Sequence, residues 1–285
     1  MSLPFQKIAS LSALVLGIGA LPASASTIVV TASGFSFTPA NVTIQVGDTV
    51  RWQWGSFAHT VTEGTDGTID GDEVFHALLD SGHPVFEVVF DAAFVAANPR
   101  PNGLYNYFCE PHFPAMVGTI QIVAVGTPFC AGDGTTTTAC PCGNTGAAGR
   151  GCDNSAATGG GLLVAHGAPS SDTLMLTSSG ELPTATSIFL QGNATSASGA
   201  VFGDGVRCVA GSLKRIGVNN ASGGLAYYPH PGDPSVSSRS AALGDPIAPG
   251  STRWYQTYYR DANLAFCPTP TGSSFNITNG LAIVW

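Results

Sequence analysis

The sequence holds 285 residues, 44% of them hydrophobic, with a formal net charge of −8, and that length suffices for two cores of ordinary size. The charge is lodged between residues 27 and 125, where ten carboxylates face only Arg51 and Arg100, while residues 126 to 285 are close to neutral. An acidic first half excludes nucleic acid and anionic lipid as partners and favours a basic one.

The chain opens with Lys7, an apolar run from Ile8 to Leu21, and the small residues Ala23, Ser24 and Ala25. That order predicts a signal peptide over residues 1–25 and export to the periplasm, the cell surface or the medium. The run is short for a bilayer span and no later segment resembles one, so no transmembrane segment is expected in the mature chain.

From Thr27 the apolar residues recur every second position. Val42, Ile44 and Val46 share one face, Gly47-Asp48 reads as a turn, and Val50, Trp52 and Trp54 alternate again, which predicts a hairpin. Further strands are expected around Thr60 and over 85–90, 104–108 and 119–123, each bounded by Gly, Pro, Asn or Asp. Residues 63–73 are acidic and rich in Gly and Thr, and read as a long surface loop. Several short strands within about 100 residues predict a β-sandwich over 26–125.

Composition then shifts to Gly, Thr, Cys and Ala, predicting a disulfide-stapled linker over 126–161. Strands resume over 162–165, 174–177, 188–191, 213–218 and 254–259. A closing pair, 275–278 and 281–285, reads as joined across Asn279-Gly280. A second antiparallel sandwich is expected over 162–285, and no segment carries a convincing helical period. Tyr227, Tyr228, Tyr255, Tyr258 and Tyr259 offer a surface that could pack against another copy, so a homo-oligomer is one expectation.

Seven cysteines in an exported chain leave one thiol outside the disulfides. Cys109 stands alone in the first half, whereas Cys130, Cys140, Cys142 and Cys152 cluster and Cys208 and Cys267 lie apart. Distance along the chain favours Cys208 with Cys267 and two bridges inside the cluster, in an order the sequence does not give.

The reason for sparing Cys109 lies in its neighbours. Tyr105, Tyr107 and Cys109 fall on one face of a strand, Pro111 ends ladder pairing, and the turn that follows can return His112 and Met116 toward the sulfur. His59, in the loop after Trp54, supplies a fourth group. A thiolate, two imidazoles and a thioether make a soft trigonal site with a weak axial ligand, which suits copper in both oxidation states and suits zinc poorly. One-electron transfer is the natural use of such a site.

The segment from Tyr105 to Met116 resembles the plastocyanin and halocyanin branch of the cupredoxins, in which Tyr-x-Tyr-x-Cys-x-Pro-His precedes an axial Met. Phe37-Thr-Pro-Ala-Asn through Arg51-Trp52, Ala58-His59-Thr-Val and Asp80-Ser-Gly82 extend the likeness over the first half. The resemblance implies a Greek-key cupredoxin sandwich holding one type 1 (blue) copper, Nδ1 ligation by His59 and His112, and the edge of His112 as the electron port. It also implies an apolar docking patch of Phe57, Pro111, Phe113 and Pro114. Two features depart from the pattern: only three residues separate His112 from Met116, where plastocyanins usually have four, and the insertion after Val61 is longer and more acidic.

Rival readings are weaker. His76 and His83 lie among Asp70, Asp72, Glu73 and Asp80 and could hold a second surface metal, but an acidic loop with two histidines is more often solvated. Asp133, Asn144, Asp153 and Asn154 match no calcium-loop spacing and read as a turn network closed by disulfides. The cysteine-rich half resembles an uncharacterised module of exported bacterial proteins, and no activity comes with that resemblance. His166 and His230 stand alone, without the paired spacing of a multicopper enzyme, and no hydrolase, zinc-protease or nucleotide-binding motif is present, so no enzyme is expected. The expected function is single-electron carriage between redox partners, with a basic protein docking near His112, Phe57 and Phe113. The alternative is a structural or adhesive surface protein in which the cupredoxin part is a scaffold.

Overall fold

In a computed structural model of the chain, residues 25–268 and 273–285 are described; all but the last residue of the expected signal peptide lies outside them. The first half runs through β1 (Thr27–Ser33), β2 (Ser36–Thr38), β3 (Asn41–Ile44), β4 (Thr49–Trp54), β5 (His59–Glu63), β6 (His76–Leu79), β7 (Val85–Val89), a short helix α1 (Ala92–Ala97), β8 (Leu104–Phe108) and β9 (Val117–Ile122). Two sheets form, β2-β1-β4-β7 and β3-β9-β8-β5-β6. Val30, Val50 and Trp52 from one sheet and Val42, Ile44, Tyr105, Tyr107 and Ile120 from the other are buried in a single core. The alternation that the sequence shows is therefore the signature of a two-layer sandwich.

The expected hairpin between β3 and β4 is not formed. β3 pairs in parallel with β9, β4 pairs in parallel with β1, and the Gly47-Asp48 corner carries the chain from one sheet to the other. Gly47 takes φ 107°, and the buried Asp48 carboxylate accepts from the amides of Ser26 and Gln45 at 2.7 and 2.8 Å, fixing the corner. Period-two burial is the same whether two strands lie side by side or face each other across a core, which is why the pattern could not separate the two. Glu63 is a second correction: it closes β5 and is buried against Arg100, which bonds both its oxygens at 2.7 and 2.8 Å, so the exposed loop starts after it.

The second half contains β10 (Thr127–Phe129), β11 (Leu162–His166), β12 (Met175–Ser179), β13 (Thr186–Gly192), β14 (Ala194–Phe202), β15 (Gly205–Ala210), β16 (Lys214–Asn220), β17 (Leu225–Tyr228), helix α2 (Val236–Ala242), β18 (Thr252–Arg260), β19 (Phe275–Ile277) and β20 (Gly280–Val284). All pairings in it are antiparallel. Sheet β10-β20-β18-β13-β16 packs on β11-β12-β17 over a core that includes Leu163, Leu176, Phe189, Tyr255, Tyr259 and Ile283. The fold is all-β, with a second antiparallel sandwich as expected. β10 lies within the segment read as linker and pairs with the last strand of the chain. Helices α1 and α2, six and seven residues long, are too short for the 3.6-residue period to register in the sequence.

Asn279-Gly280 is not a turn. β19 and β20 both pair with β18, Ile277 opposite Tyr258 and Leu281 opposite Tyr255, so four steps on one side face three on the other and the dipeptide is a bulge. The Asn279 side chain bonds the Leu163 amide at 2.7 Å and its carbonyl at 3.2 Å, clipping the facing sheet to the bulge. The cystines differ in part from expectation: Cys140–Cys152 is a bridge inside the cluster as expected, whereas Cys208 and Cys267 pair with Cys130 and Cys142 instead of with each other. Cys208 lies on β15 and Cys267 follows β18, and the fold brings each back to a different cysteine of the cluster, so proximity along the chain misled. Of the tyrosines read as a contact surface, Tyr228, Tyr255 and Tyr259 are buried in their own core.

The two sandwiches are in contact. The Val125 amide bonds the Ala165 carbonyl at 2.7 Å, His166 donates from Nδ1 to the Val123 carbonyl at 3.2 Å, and Met175 enters the first core. No helix among the described residues is long and apolar enough to cross a membrane.

Candidate metal centre

Cys109 directly follows β8, with the buried Tyr105 and Tyr107 on its own side of the strand. It is the free cysteine among the described residues, and it is fully buried. The His112 amide bonds the Cys109 carbonyl at 3.1 Å, the Met116 amide bonds the His112 carbonyl at 3.0 Å, and the Cys109 amide bonds the Met116 carbonyl at 3.0 Å. These three bonds close the segment into a compact return that brings His112 back beside the sulfur and buries Met116.

His59 opens β5 instead of lying in the preceding loop. Its Nδ1 stands 3.7 Å from Cys109 Sγ and 3.2 Å from His112 Nδ1, and His112 Nδ1 stands 3.2 Å from the sulfur. The triangle fits one small ion: with bonds of about 2.0 Å to nitrogen and 2.3 Å to sulfur, three trigonal ligands lie roughly 3.5 to 3.8 Å apart. The structure thus brings His59, Cys109 and His112 together, with Met116 buried at 1% exposure on the return.

The orientation of these groups is set by atoms the sequence did not single out. His59 Nε2 donates to the Ser56 carbonyl at 2.7 Å, which turns the Nδ1 lone pair to the sulfur. Burial lowers the pKa of His59 and its neighbour His112 lowers it too, against the pull of the Ser56 carbonyl, so the ring is held neutral. Burial raises the pKa of Cys109, opposed by the Thr60 amide that points at the sulfur from 3.4 Å. A buried thiol beside two aligned imidazoles binds a metal ion with release of its proton. Thr60 Oγ1 accepts from the Glu110 amide at 2.8 Å, tying β5 to the return just after the cysteine.

Exposed aromatic side chains form a rim near His112. Phe57 and Phe113 are 67% and 37% exposed, and Phe35, which the sequence did not mark, is 66% exposed and stands edge-on to the His112 ring at 4.9 Å. The acidic loop approaches this rim: Gly67 at φ 82° lies so close to the Phe113 ring that a Cβ would overlap it. His76 bonds Thr62 Oγ1 at 2.9 Å and His83 bonds Asp80 at 3.0 Å, so neither joins Asp70, Asp72 and Glu73, which cluster on the surface without a histidine.

Residues 24–123 match the family described as copper binding proteins, plastocyanin/azurin family. Over 92 residues the chain is 34% identical to the plastocyanin of Scenedesmus fuscus, spanning 30% of this chain and 85% of that one. The chain belongs to the plastocyanin/azurin family. It is also 34% identical over 92 residues to the chloroplastic plastocyanin of Tetradesmus obliquus, and there it spans 57% of the relative's length. Among solved structures, the cupredoxin half is similar to amicyanin from Paracoccus versutus, at 27% identity over 36% of this chain and 85% of that one, with a TM-score of 0.26. The cupredoxin domain accounts for the first sandwich and its donor set; the second sandwich lies outside the matched residues.

Proposed function

We propose that the chain is an exported carrier of single electrons, with one type 1 copper that His59, Cys109, His112 and Met116 would hold. The observation that carries the reading is the triangle of Sγ and two Nδ1 atoms, closed to within 3.7 Å around a free buried cysteine. Copper bound there supplies a reversible one-electron couple. The chain does the rest. β5 and the return after β8 hold the three donors in a cage that resists rearrangement, so little has to move when charge changes. Ser56 and Thr60 fix the donor atoms, and the core keeps water from Cys109.

His112 lies edge-on to Phe35, which stacks with Phe57, and the exposed Phe113 follows it in the chain, so an electron would enter or leave through its ring edge once a partner covers these rings. A basic redox protein fits the excess of carboxylates in the first half. Three cystines in the second half favour an oxidising compartment and hence export. The chain performs no reaction of its own on this reading, and the second sandwich places or joins the carrier.

The test is a visible spectrum of the purified protein loaded with Cu(II), beside Cys109→Ser. An intense thiolate-to-copper band that bleaches on reduction and is missing from the variant is expected. Absence of the band, with zinc bound or no metal bound, would leave a structural or adhesive protein as the better account.

A further inference from the structure

Two carboxylates are buried in the cysteine-rich corner without a counter-charge. Asp204, in the turn between β14 and β15, and Asp261, just after β18, are 1% and 0% exposed. No ion pair involves either residue among the described residues. Asp261 is held by the Ser155 amide at 2.8 Å and by the Ser155 hydroxyl. Asp204 is not so served: its Oδ2 is buried and has no hydrogen-bond partner. Burial, and then the charge of Asp261, push the Asp204 carboxyl up to about 6.

A third acceptor stands beside them. Asn144 Nδ2 donates to the carbonyls of Asp153 at 2.7 Å and Asp204 at 2.9 Å. Two carbonyls fix which end of the amide faces which way, so Asn144 Oδ1 is left buried, and it too has no partner. Two oxygens of the corner, Asp204 Oδ2 and Asn144 Oδ1, are thus left without a donor among the described residues. The corner is also rigid: Asn144 follows Cys142, which is bridged to Cys267, and Asp153 follows Cys152, which is bridged to Cys140. The Asp153 carbonyl takes a further bond from Asn276 Nδ2 at 2.8 Å.

Burying a carboxylate costs several kcal/mol unless a proton or a cation compensates it. A proton on Asp204 would relieve the repulsion and give the corner one donor, enough for a single acceptor. A hard divalent cation answers all three groups at once. We propose that Asp204, Asp261 and Asn144 form a calcium-class cation site that locks the disulfide-stapled corner, with backbone carbonyl and water oxygens filling the remainder of its shell. Oxygen donors of this kind select calcium over the soft and borderline metals that suit the cupredoxin centre. The proposal is independent of the copper reading, since no residue is shared. The carboxylates come from positions 204 and 261, far from Asn144 along the chain, so no local calcium-loop spacing could reveal them.

The experiment uses the full chain freed of divalent ions with a chelator, titrated with CaCl2 by calorimetry and then melted with and without about 1 mM calcium, near the weak end of known protein sites. Calcium is expected to bind and to raise the melting temperature of the second sandwich. Asp204→Asn and Asn144→Ala should each weaken binding at least tenfold. Asp70→Asn with Asp72→Asn, in the exposed acidic loop, should leave binding and shift intact. No heat and no shift up to about 10 mM calcium would overturn the proposal, as would a response lost in the loop variant and kept in Asp204→Asn. If Asp204→Asn does not fold, Asn144→Ala decides: wild-type calcium affinity in that variant overturns the site.

Discussion

The backbone amide of Thr60 points at Cys109 Sγ from 3.4 Å, while the hydroxyl of the same residue accepts from the Glu110 amide at 2.8 Å. One residue of β5 therefore holds both the sulfur and the chain just beyond it. Thr60→Val keeps the first bond and removes the second, leaving the Glu110 amide without its acceptor, at a cost of about 1 kcal/mol. The variant is expected to keep the copper band, melt lower without metal, and lose copper faster to a chelator. Thr60→Ser should restore both properties; a Val variant indistinguishable from wild type in melting and metal release would show that the tie does not matter.

Glu63 and Arg100 form a two-pronged pair in which the carboxylate is 5% exposed. Arg100→Met strands that carboxylate in the interior and should cost about 3 kcal/mol. Adding Glu63→Gln removes the stranded charge, so the double variant should regain more than half of the loss. Urea unfolding of the two single variants and the double measures the coupling, and strictly additive losses would contradict it.

Gly118, in β9, sits under the Tyr107 hydroxyl, which donates to the Ala40 carbonyl at 2.8 Å. A Cβ at this position would overlap both that carbonyl and the tyrosine ring. Gly118→Ala is expected to destabilise the first sandwich by about 1 to 3 kcal/mol, while the melting of the second stays where it was. Equal shifts in both transitions would mean that the sandwiches unfold as one unit.

Glu181 is 2% exposed, and its two oxygens accept from the hydroxyls of Ser178 and Ser187. Burial pushes its carboxyl from 4.5 up to about 7, against the two hydroxyl bonds. The folded state therefore holds a proton that the unfolded state has already released, and stability falls as the pH rises from 4.5 to about 7, then levels. Relative to Glu181→Gln, the wild type should lose about 3 kcal/mol across that window. Melting of the two proteins from pH 4 to 8, taken as a difference so that Asp204 cancels, checks the slope; parallel curves would refute the assignment.

Features that depend on near neighbours along the chain are legible before folding. Cys109, His112 and Met116 fall within one short return, so their spacing already announced a shared centre. The alternation of Val42, Ile44, Val50 and Trp52 announced buried strands, because side-chain direction in a strand is fixed two residues at a time.

Which distant backbones meet is visible in the folded chain alone. Whether Gly47-Asp48 turns within a sheet or crosses between sheets, and whether Asn279-Gly280 is a turn or a bulge, depends on hydrogen-bond partners tens of residues away, to which the local pattern is blind. The same holds for the partner of each cystine, for the buried ion pair of Glu63, for the Ser56 carbonyl that aims His59, and for Phe35 over His112. Asp204, Asp261 and Asn144 are the extreme case: three polar residues far apart in the sequence, gathered where burial leaves Asp204 Oδ2 and Asn144 Oδ1 without a donor among the described residues.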